Sequence, residues 1–446
     1  MAEQRFSHDF STLQQLAQDV LEYARKKGAS ACEVDVSEGF GQSVSVRCGA
    51  LETIEHNRDK GVGVSVYVGQ RRGHASTSDF SPQALRQTVE AALDIARFTA
   101  ADDCAGLPEP ELLARDSLDL DLHHPWDLSV EAGIELARRC EAAAFAVDGR
   151  ISNSEGATVS TQQAQFVAAN SLGFMGGYPT SRHYIACSVI AGESDAMQRD
   201  DWYSTHRDAA RLDSPEAVGE RAARRALARL EPRKIATGRY PVIFEAPLAA
   251  GLLGHFVQAA SGGALYRKSS FLLEHLGKQV FPSFFQLSER PHLRAGLASS
   301  PFDNDGVATR DREVVRDGIL EGYFLSVYSG RKLGLPSTGN AGGSHNLILK
   351  PGEQDLEGLL RQMGRGLLIT ELLGHGVNYV TGDYSRGAAG FWVEAGQIVH
   401  PVEEITLAGN LKDMFRQIQA IGRDVLVRGS KQTGSLLIEA MTVAAG

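Results

Sequence analysis

At 446 residues the chain exceeds one ordinary domain and predicts two or three compact units. A hydrophobic content of 43% with 22% charged residues excludes a disordered or fibrous protein. The formal net charge of −10 argues against a nucleic-acid surface, whose affinity rests on Lys and Arg neutralising phosphates. The five cysteines, Cys32, Cys48, Cys104, Cys140 and Cys187, are odd in number and irregular in spacing, and form no CxxC pair. A disulfide framework and a zinc knuckle are therefore not expected. The start, MAEQRFSHDF, carries no basic-then-apolar leader, and no run of 18 apolar residues occurs. A cytoplasmic protein without a membrane partner is expected.

Residues 8–27 place Leu13, Leu16, Ala17, Val20, Leu21 and Ala24 at helical spacing, with Ser11 or Thr12 as the expected N-cap. Short alternating runs follow: ACEVDVS, QSVSVRC, LETIEH, GVGVSVYV and RRGHASTS. A second helix opens at Ser81-Pro82, a good N-cap and N1 pair. The same order recurs. A helix is expected over 127–147, then the strand-like runs GATVSTQ, AQFVAANS and RHYIACSVIAG, then a helix over 214–230 opened by another Ser-Pro. Residues 1–234 thus predict an α+β N-terminal region built of two helix–antiparallel sheet–helix units, at about 1–100 and 125–232. The basic stretch Arg221–Lys234 is expected to be a solvated helix face.

The polar stretch ending at Pro241 marks the main boundary, so 235–446 forms the second domain. Hairpin signals multiply there: Asp317-Gly318 and Ala395-Gly396 each sit between apolar-alternating runs. The expected helices are few: one bearing His255, a short DLEGLLRQM, and LKDMFRQIQAIGRD. The C-terminal half therefore reads as a mostly antiparallel β domain with a few helices.

No GxSxG elbow and no P-loop is present. In GNAGGSHN, Ser344 and His345 are sequence neighbours, which on a strand point to opposite sides, so a glycine-rich turn is the better reading. The stretch AGLLGHFVQAASGG (250–263) reads as a helix after the strand-like PVIFEAPLA, with His255 as its one histidine. Metal-binding histidines on one helix converge at i and i+4. Four residues before His255 stands Gly251 and five before stands Ala250, an offset of about 140° on an ideal helix. Neither can bind a metal, and the nearest acid, Glu245, lies on the preceding strand. His255 then reads as a packed or partner-contacting residue. In TGDYSRGAAGFWVE, Asp383, Tyr384, Ser385 and Arg386 crowd an expected turn. Asp383 and Arg386 there either bind a peptide or pair with each other across the turn.

Two stretches carry a resemblance: GLLGHFVQAASGGALYRKSSFLLEHLGKQV, and HGVNYVTGDYSRGAAGFWVEAGQIVHPVEEITLAGNLKDMFRQI. With them, over essentially its whole length, the chain resembles the PmbA (TldE) branch of the bacterial TldD/PmbA peptidase family. The resemblance implies a heterodimer with a TldD-like subunit that encloses a chamber and cleaves unfolded or flexible peptides, with zinc supplied by that partner. TldD carries H-E-x-x-x-H and a later cysteine. On that motif this sequence has Ala250, Gly251 and His255, and no cysteine follows Cys187. The chain itself is then expected to hold no metal and to be non-catalytic, with His255 a residual of the motif. His255, Tyr266, Arg267 and Lys268 are expected near the partner's zinc or the dimer interface, and Asp383, Tyr384 and Arg386 near a peptide groove. A homodimer is expected when the chain is alone. Two alternatives stay open. One is a non-proteolytic interaction protein acting on gyrase or an antitoxin. The other is a self-sufficient metallohydrolase using His255 with His345, His375 or Asp383.

Overall fold

The computed structural model describes residues 5–116 and 118–445, so the first four residues of the start read above for a leader lie outside it. The N-terminal half runs α1 (Phe10–Lys26), β1 (Ala31–Arg47), β2 (Ala50–Val68), β3 (Arg71–Thr77) and α2 (Pro82–Phe98). It continues with α3 (Val130–Val147), β4 (Ile151–Asn170), β5 (Met175–Ala191), β6 (Gln198–His206) and α4 (Pro215–Ala228). The expected helix–antiparallel sheet–helix order is present twice. Asp9 rather than Ser11 or Thr12 caps α1, accepting from the Thr12 amide. Ser81 and Ser214 cap α2 and α4 as their Ser-Pro pairs predict.

The two units share one six-stranded antiparallel sheet, ordered β3-β2-β1-β4-β5-β6. The join is β1 against β4, from Glu33↔Asn170 to Val46↔Ala157. The short runs expected in each unit fuse into strands of 17 to 20 residues. Gly39 and Gly41 do not break β1. They serve close approach: a Cβ on Gly41 would lie 2.5 Å from the Asn57 Oδ1. Val34 and Val36 of β1 pack under α1 and α2, and Val46, on the same face of the strand, packs under α3 and α4. All four helices therefore cover one side of the sheet. From the β5–β6 end, side chains reach the C-terminal half: Arg182 Nη2 donates to the Arg428 carbonyl at 2.8 Å and Arg207 Nε to the Gly296 carbonyl at 2.9 Å.

The C-terminal half runs β7 (Gly238–Phe244), α5 (Ala246–Ala259), α6 (Gly262–Tyr266), β8 (Leu287–Glu289), β9 (Arg312–Arg316), β10 (Ile319–Leu320), α7 (Val327–Leu333) and β11 (Leu347–Leu349). It ends with α8 (Leu356–Met363), β12 (Gly366–Leu373), β13 (Asp383–Glu394), β14 (Gln397–Asn410), α9 (Leu411–Arg416), β15 (Ile418–Ile421), β16 (Lys431–Gln432) and β17 (Leu436–Ala445). One sheet is ordered β14-β13-β12-β7-β17-β15 and closes on itself through β14–β17; only β7–β12 is parallel. A smaller sheet is ordered β10-β9-β8-β11-β16. Both expected hairpin turns form with positive φ at the two central residues, 51° and 75° at Asp317-Gly318 and 49° and 73° at Ala395-Gly396. That is the type I′ geometry whose twist matches paired strands.

Two helices, α6 and α7, stand beyond the three expected in this half, and α9 stops at Arg416 because IQAI is taken up by the sheet through β17. The residues Asp383–Arg386 are the start of β13, paired with β14, and not a turn. Pairing with β14 overrides the local Gly and Asp signals there. Among the described residues, no helix is long and apolar enough to cross a membrane.

Candidate functional site

Helix α5 leaves the buried strand β7 through Glu245, its N-cap, whose side chain makes no capping bond. Its apolar face, Ala249, Leu252, Leu253 and Phe256, sinks into the C-terminal core. The opposite face carries Gly251 exposed, and Ala250, Gly254 and His255 half-buried. A Cβ on Gly251 would meet nothing within 4 Å, so packing does not dictate glycine there. One turn on, the stem of Lys431 lies 3.6 Å from a Cβ built on Gly254. Burial lowers the Lys431 pKa, and its ammonium donates to Ser430 Oγ at 3.1 Å.

His255 Nδ1 shares a hydrogen bond of 2.8 Å with the hydroxyl of Tyr379, 124 residues away. The Tyr384 ring stands edge-on to the imidazole at 6.0 Å between centroids. Burial, reinforced by the Arg386 guanidinium, pushes the imidazole pKa down from 6.5 to about 4. Tyr384 is 1% exposed, and burial, partly offset by Arg386, raises its phenol to about 12. Among the described residues the Tyr384 hydroxyl and Arg386 Nε have no hydrogen-bond partner. The site is thus a neutral imidazole held between two tyrosines, with one guanidinium beside it.

His255 binds protons less readily folded than unfolded, so its contribution to stability is whole above pH 6.5 and is lost as the pH falls from there towards 4. Following the His255 ring resonances by NMR against pH should give a midpoint well below 6.5, and Arg386→Met should raise it. A midpoint at or above 6.5 would show that the ring is hydrated and the pocket open.

Alternation along β13 separates the other candidates. Tyr384 and Arg386 face His255. Asp383 and Ser385 are exposed. Asp383 accepts from Thr381 Oγ1 at 2.6 Å and from Asn410 Nδ2 at 3.1 Å, and these bonds lower its pKa. The Arg–Asp staple across a turn is therefore absent: the two side chains lie on opposite faces of a strand. Tyr266 belongs to a different neighbourhood. Its ring stands edge-on to Tyr328 at 5.7 Å, and Arg267 reaches back over it, with Nη1 donating to the Tyr266 hydroxyl at 3.1 Å. Tyr328 in turn donates to Asp102 at 2.7 Å. Lys268 is exposed beside Arg267, with a positive φ of 55°. These contacts share no residue with those of His255.

His345 is bound locally: its amide donates to Glu289 Oε1 at 2.8 Å, and its Nε2 lies 2.9 Å from the Gly339 carbonyl. His375 is exposed in the loop after β12. Glu245, the nearest acid in sequence, is held by Arg225 at 2.7 Å. Among the described residues, no group of three or more His, Cys, Asp or Glu side chains is placed to hold a metal ion. Ala250 and Gly251 offer no donor, and one imidazole nitrogen is already engaged, so these residues do not fit a catalytic zinc. Tyr379 and Lys431 escaped the reading of the sequence, because nothing in local spacing links residues 124 or 177 positions apart.

Three successive domain models of one family match the chain: PmbA/TldA metallopeptidase domain 1 over residues 32–96, the central domain over 123–230 and the C-terminal domain over 237–445. The Metalloprotease PmbA homolog of Haemophilus influenzae is 50% identical over 433 residues, covering 97% of this chain and 96% of that protein. Metalloprotease PmbA of Escherichia coli O157:H7 is 50% identical over 432 residues, with the same coverage. A solved structure from Bacteroides thetaiotaomicron, described as a candidate modulator of DNA gyrase, superposes with a TM-score of 0.92 at 27% identity over 97% of this chain and 99% of that one. TldE from Thermococcus kodakarensis shares the fold, with a TM-score of 0.83 at 19% identity over 97% of this chain and all of that one. With matches that run from residue 32 to residue 445 and half the residues shared with two metalloproteases, the chain belongs to the PmbA/TldA metallopeptidase family.

Proposed function

We propose that this chain is a TldE-like, non-catalytic subunit of a TldD/TldE zinc-dependent peptidase that cleaves unfolded or flexible peptides in the cytoplasm. The observation that carries the reading is the face of α5: Ala250 and Gly251 stand where donors are needed, and the remaining His255 is tied to Tyr379. The relation to TldD supports it, since the TldD homolog of Haemophilus influenzae is 23% identical over 389 residues, 81% of this chain and 79% of that protein. In this reading the TldD-like partner holds the zinc and performs the hydrolysis. The regions 1–234 and 235–446 shape the chamber. Tyr266, Arg267 and Lys268 lie near the interface, and exposed Asp383 with half-buried Arg386 borders the peptide path.

The test is elemental analysis of the purified chain beside peptide cleavage by the chain, the TldD-like partner and their mixture. Near-zero zinc in the chain, with cleavage that requires the mixture, is expected. Stoichiometric zinc and cleavage by this chain alone would overturn the proposal. Peptide bound but left intact by the mixture would favour an interaction protein instead. His255→Ala should fold normally and lower cleavage by the mixture less than about tenfold, about 1.4 kcal/mol. Loss of soluble protein would show instead that the imidazole is a core element.

A further inference from the structure

A cleft of about 700 Å³ lies between α4 of the N-terminal half and the outer surface of the C-terminal sheet. Its floor is apolar: Leu368, Phe391 and Pro401 are neighbours in register across β12, β13 and β14. Ile398 and Val399 form its lip, 48% and 51% exposed. At one end stands Glu245, only 8% exposed. Its Oε1 accepts from Arg225 Nη1 at 2.7 Å, while Oε2, itself buried, has no partner among the described residues. A buried carboxylate oxygen with no donor is costly, and Glu245 is one of the residues that line the cleft.

Asp200, Glu245 and Glu371 share the guanidinium groups of Arg225 and Arg229. Arg221, at the mouth, is stacked 3.8 Å over Trp202 and is free to donate to carbonyl oxygens. None of the residues around His255 lines this cleft.

We propose that the cleft binds the amino terminus of an apolar peptide. The ligand's ammonium pairs with the Glu245 carboxylate once that side chain turns Oε2 into the cleft, its first apolar side chains lie on Leu368 and Phe391, and its backbone carbonyls meet Arg221. The apolar floor disfavours a polyamine, whose chain repeats its charge. The shared chemistry is an ammonium on an apolar peptide, which an N-terminus or a lysine side chain could supply. The proposal deepens the peptidase reading and rests on it for the choice of peptides as the ligand class.

The test is calorimetric titration of the full chain alone with Leu-Leu-Leu amide, with its N-acetyl derivative and with N-acetyl-Leu-Lys-Leu amide. The free amine should bind saturably and the acetylated form at least about tenfold more weakly. Equal binding of the lysine peptide and the free amine supports the site with the side chain as the source of the ammonium. Equal affinity of Leu-Leu-Leu amide and its acetyl derivative, or no binding of any of the three, overturns the proposal. Glu245→Gln should abolish the preference for the free amine. Because that variant removes a buried charge and could fail to fold, Ile398→Ser at the exposed lip is the second one. It should weaken binding several-fold with an unchanged melting temperature, and unchanged affinity would place the peptide elsewhere and overturn the proposal. No partner and no cleavage enter the measurement, so its failure leaves the proteolysis test untouched, and the reverse.

Discussion

Arg225→Met is expected to destabilise the protein by about 3–5 kcal/mol, the usual cost of removing one partner from a buried charge pair. Arg225 lies on α4 with 18% of its side chain exposed, and it bonds two carboxylates from different parts of the fold. Nε donates to Asp200 Oδ1 at 3.0 Å and Nη1 to Glu245 Oε1 at 2.7 Å. Burial alone would lower its pKa, but Glu245 and Asp200 hold it above the ordinary value. Methionine keeps most of the volume and removes the charge. Asp200 then keeps the Asp201 amide at 2.8 Å and Arg229 at 3.7 Å, while Glu245 loses its ion-pair partner. Adding Glu245→Gln should restore part of the loss, because the two residues act as one network. Denaturant unfolding of the two variants checks this. A loss below about 1 kcal/mol would mean that the pair behaves as a screened surface bridge. The same network ties α4 of the N-terminal half to the start of α5, so the variant should also loosen the two halves against each other.

The second large effect is expected at Gly219, in the middle of α4. A Cβ there would stand 1.9 Å from the Cys140 carbonyl oxygen of α3. The two helices therefore meet backbone to backbone, and any side chain must push them apart. Gly219→Leu is expected to cost about 3 kcal/mol or more, at the upper end for overpacking, and to reduce soluble yield. Gly251→Ala is the control. Its Cβ meets nothing within 4 Å, so alanine should be neutral or stabilise α5 by up to about 1 kcal/mol. Equal melting temperatures for the two variants would show that α3 and α4 can slide apart without penalty.

Before folding, Gly219 is only a weak spot in a helical run, and Gly251 looks the same. The difference is made by what lies across from each: a carbonyl oxygen in one case and open space in the other. The strands show the same limit. Period-2 patterning located ACEVDVS and QSVSVRC correctly as β, yet as two separate runs, because the close approach of the intervening Gly39 and Gly41 to β4 and Asn57 is invisible along the chain. Asp383, Tyr384, Ser385 and Arg386 read as a turn for the same reason, although β14 pairs with each of them.

Local chemistry governs everything that could be read along the chain. Periodicity set the helix–sheet–helix order, Ser-Pro pairs set two helix starts, and residue pairs able to adopt positive φ set two hairpins. The α5 motif, with Ala250 and Gly251 before His255, and the absence of any cysteine beyond Cys187 are likewise legible without coordinates. The tertiary structure alone decided what lies opposite each of these. It joined two units into one sheet, set Tyr379 against His255, turned Asp383 away from Arg386, and left Glu245 Oε2 without a partner among the described residues. Such contacts join residues far apart in sequence. They follow from how whole elements pack and from the dielectric they create, and no local pattern along the chain carries that information.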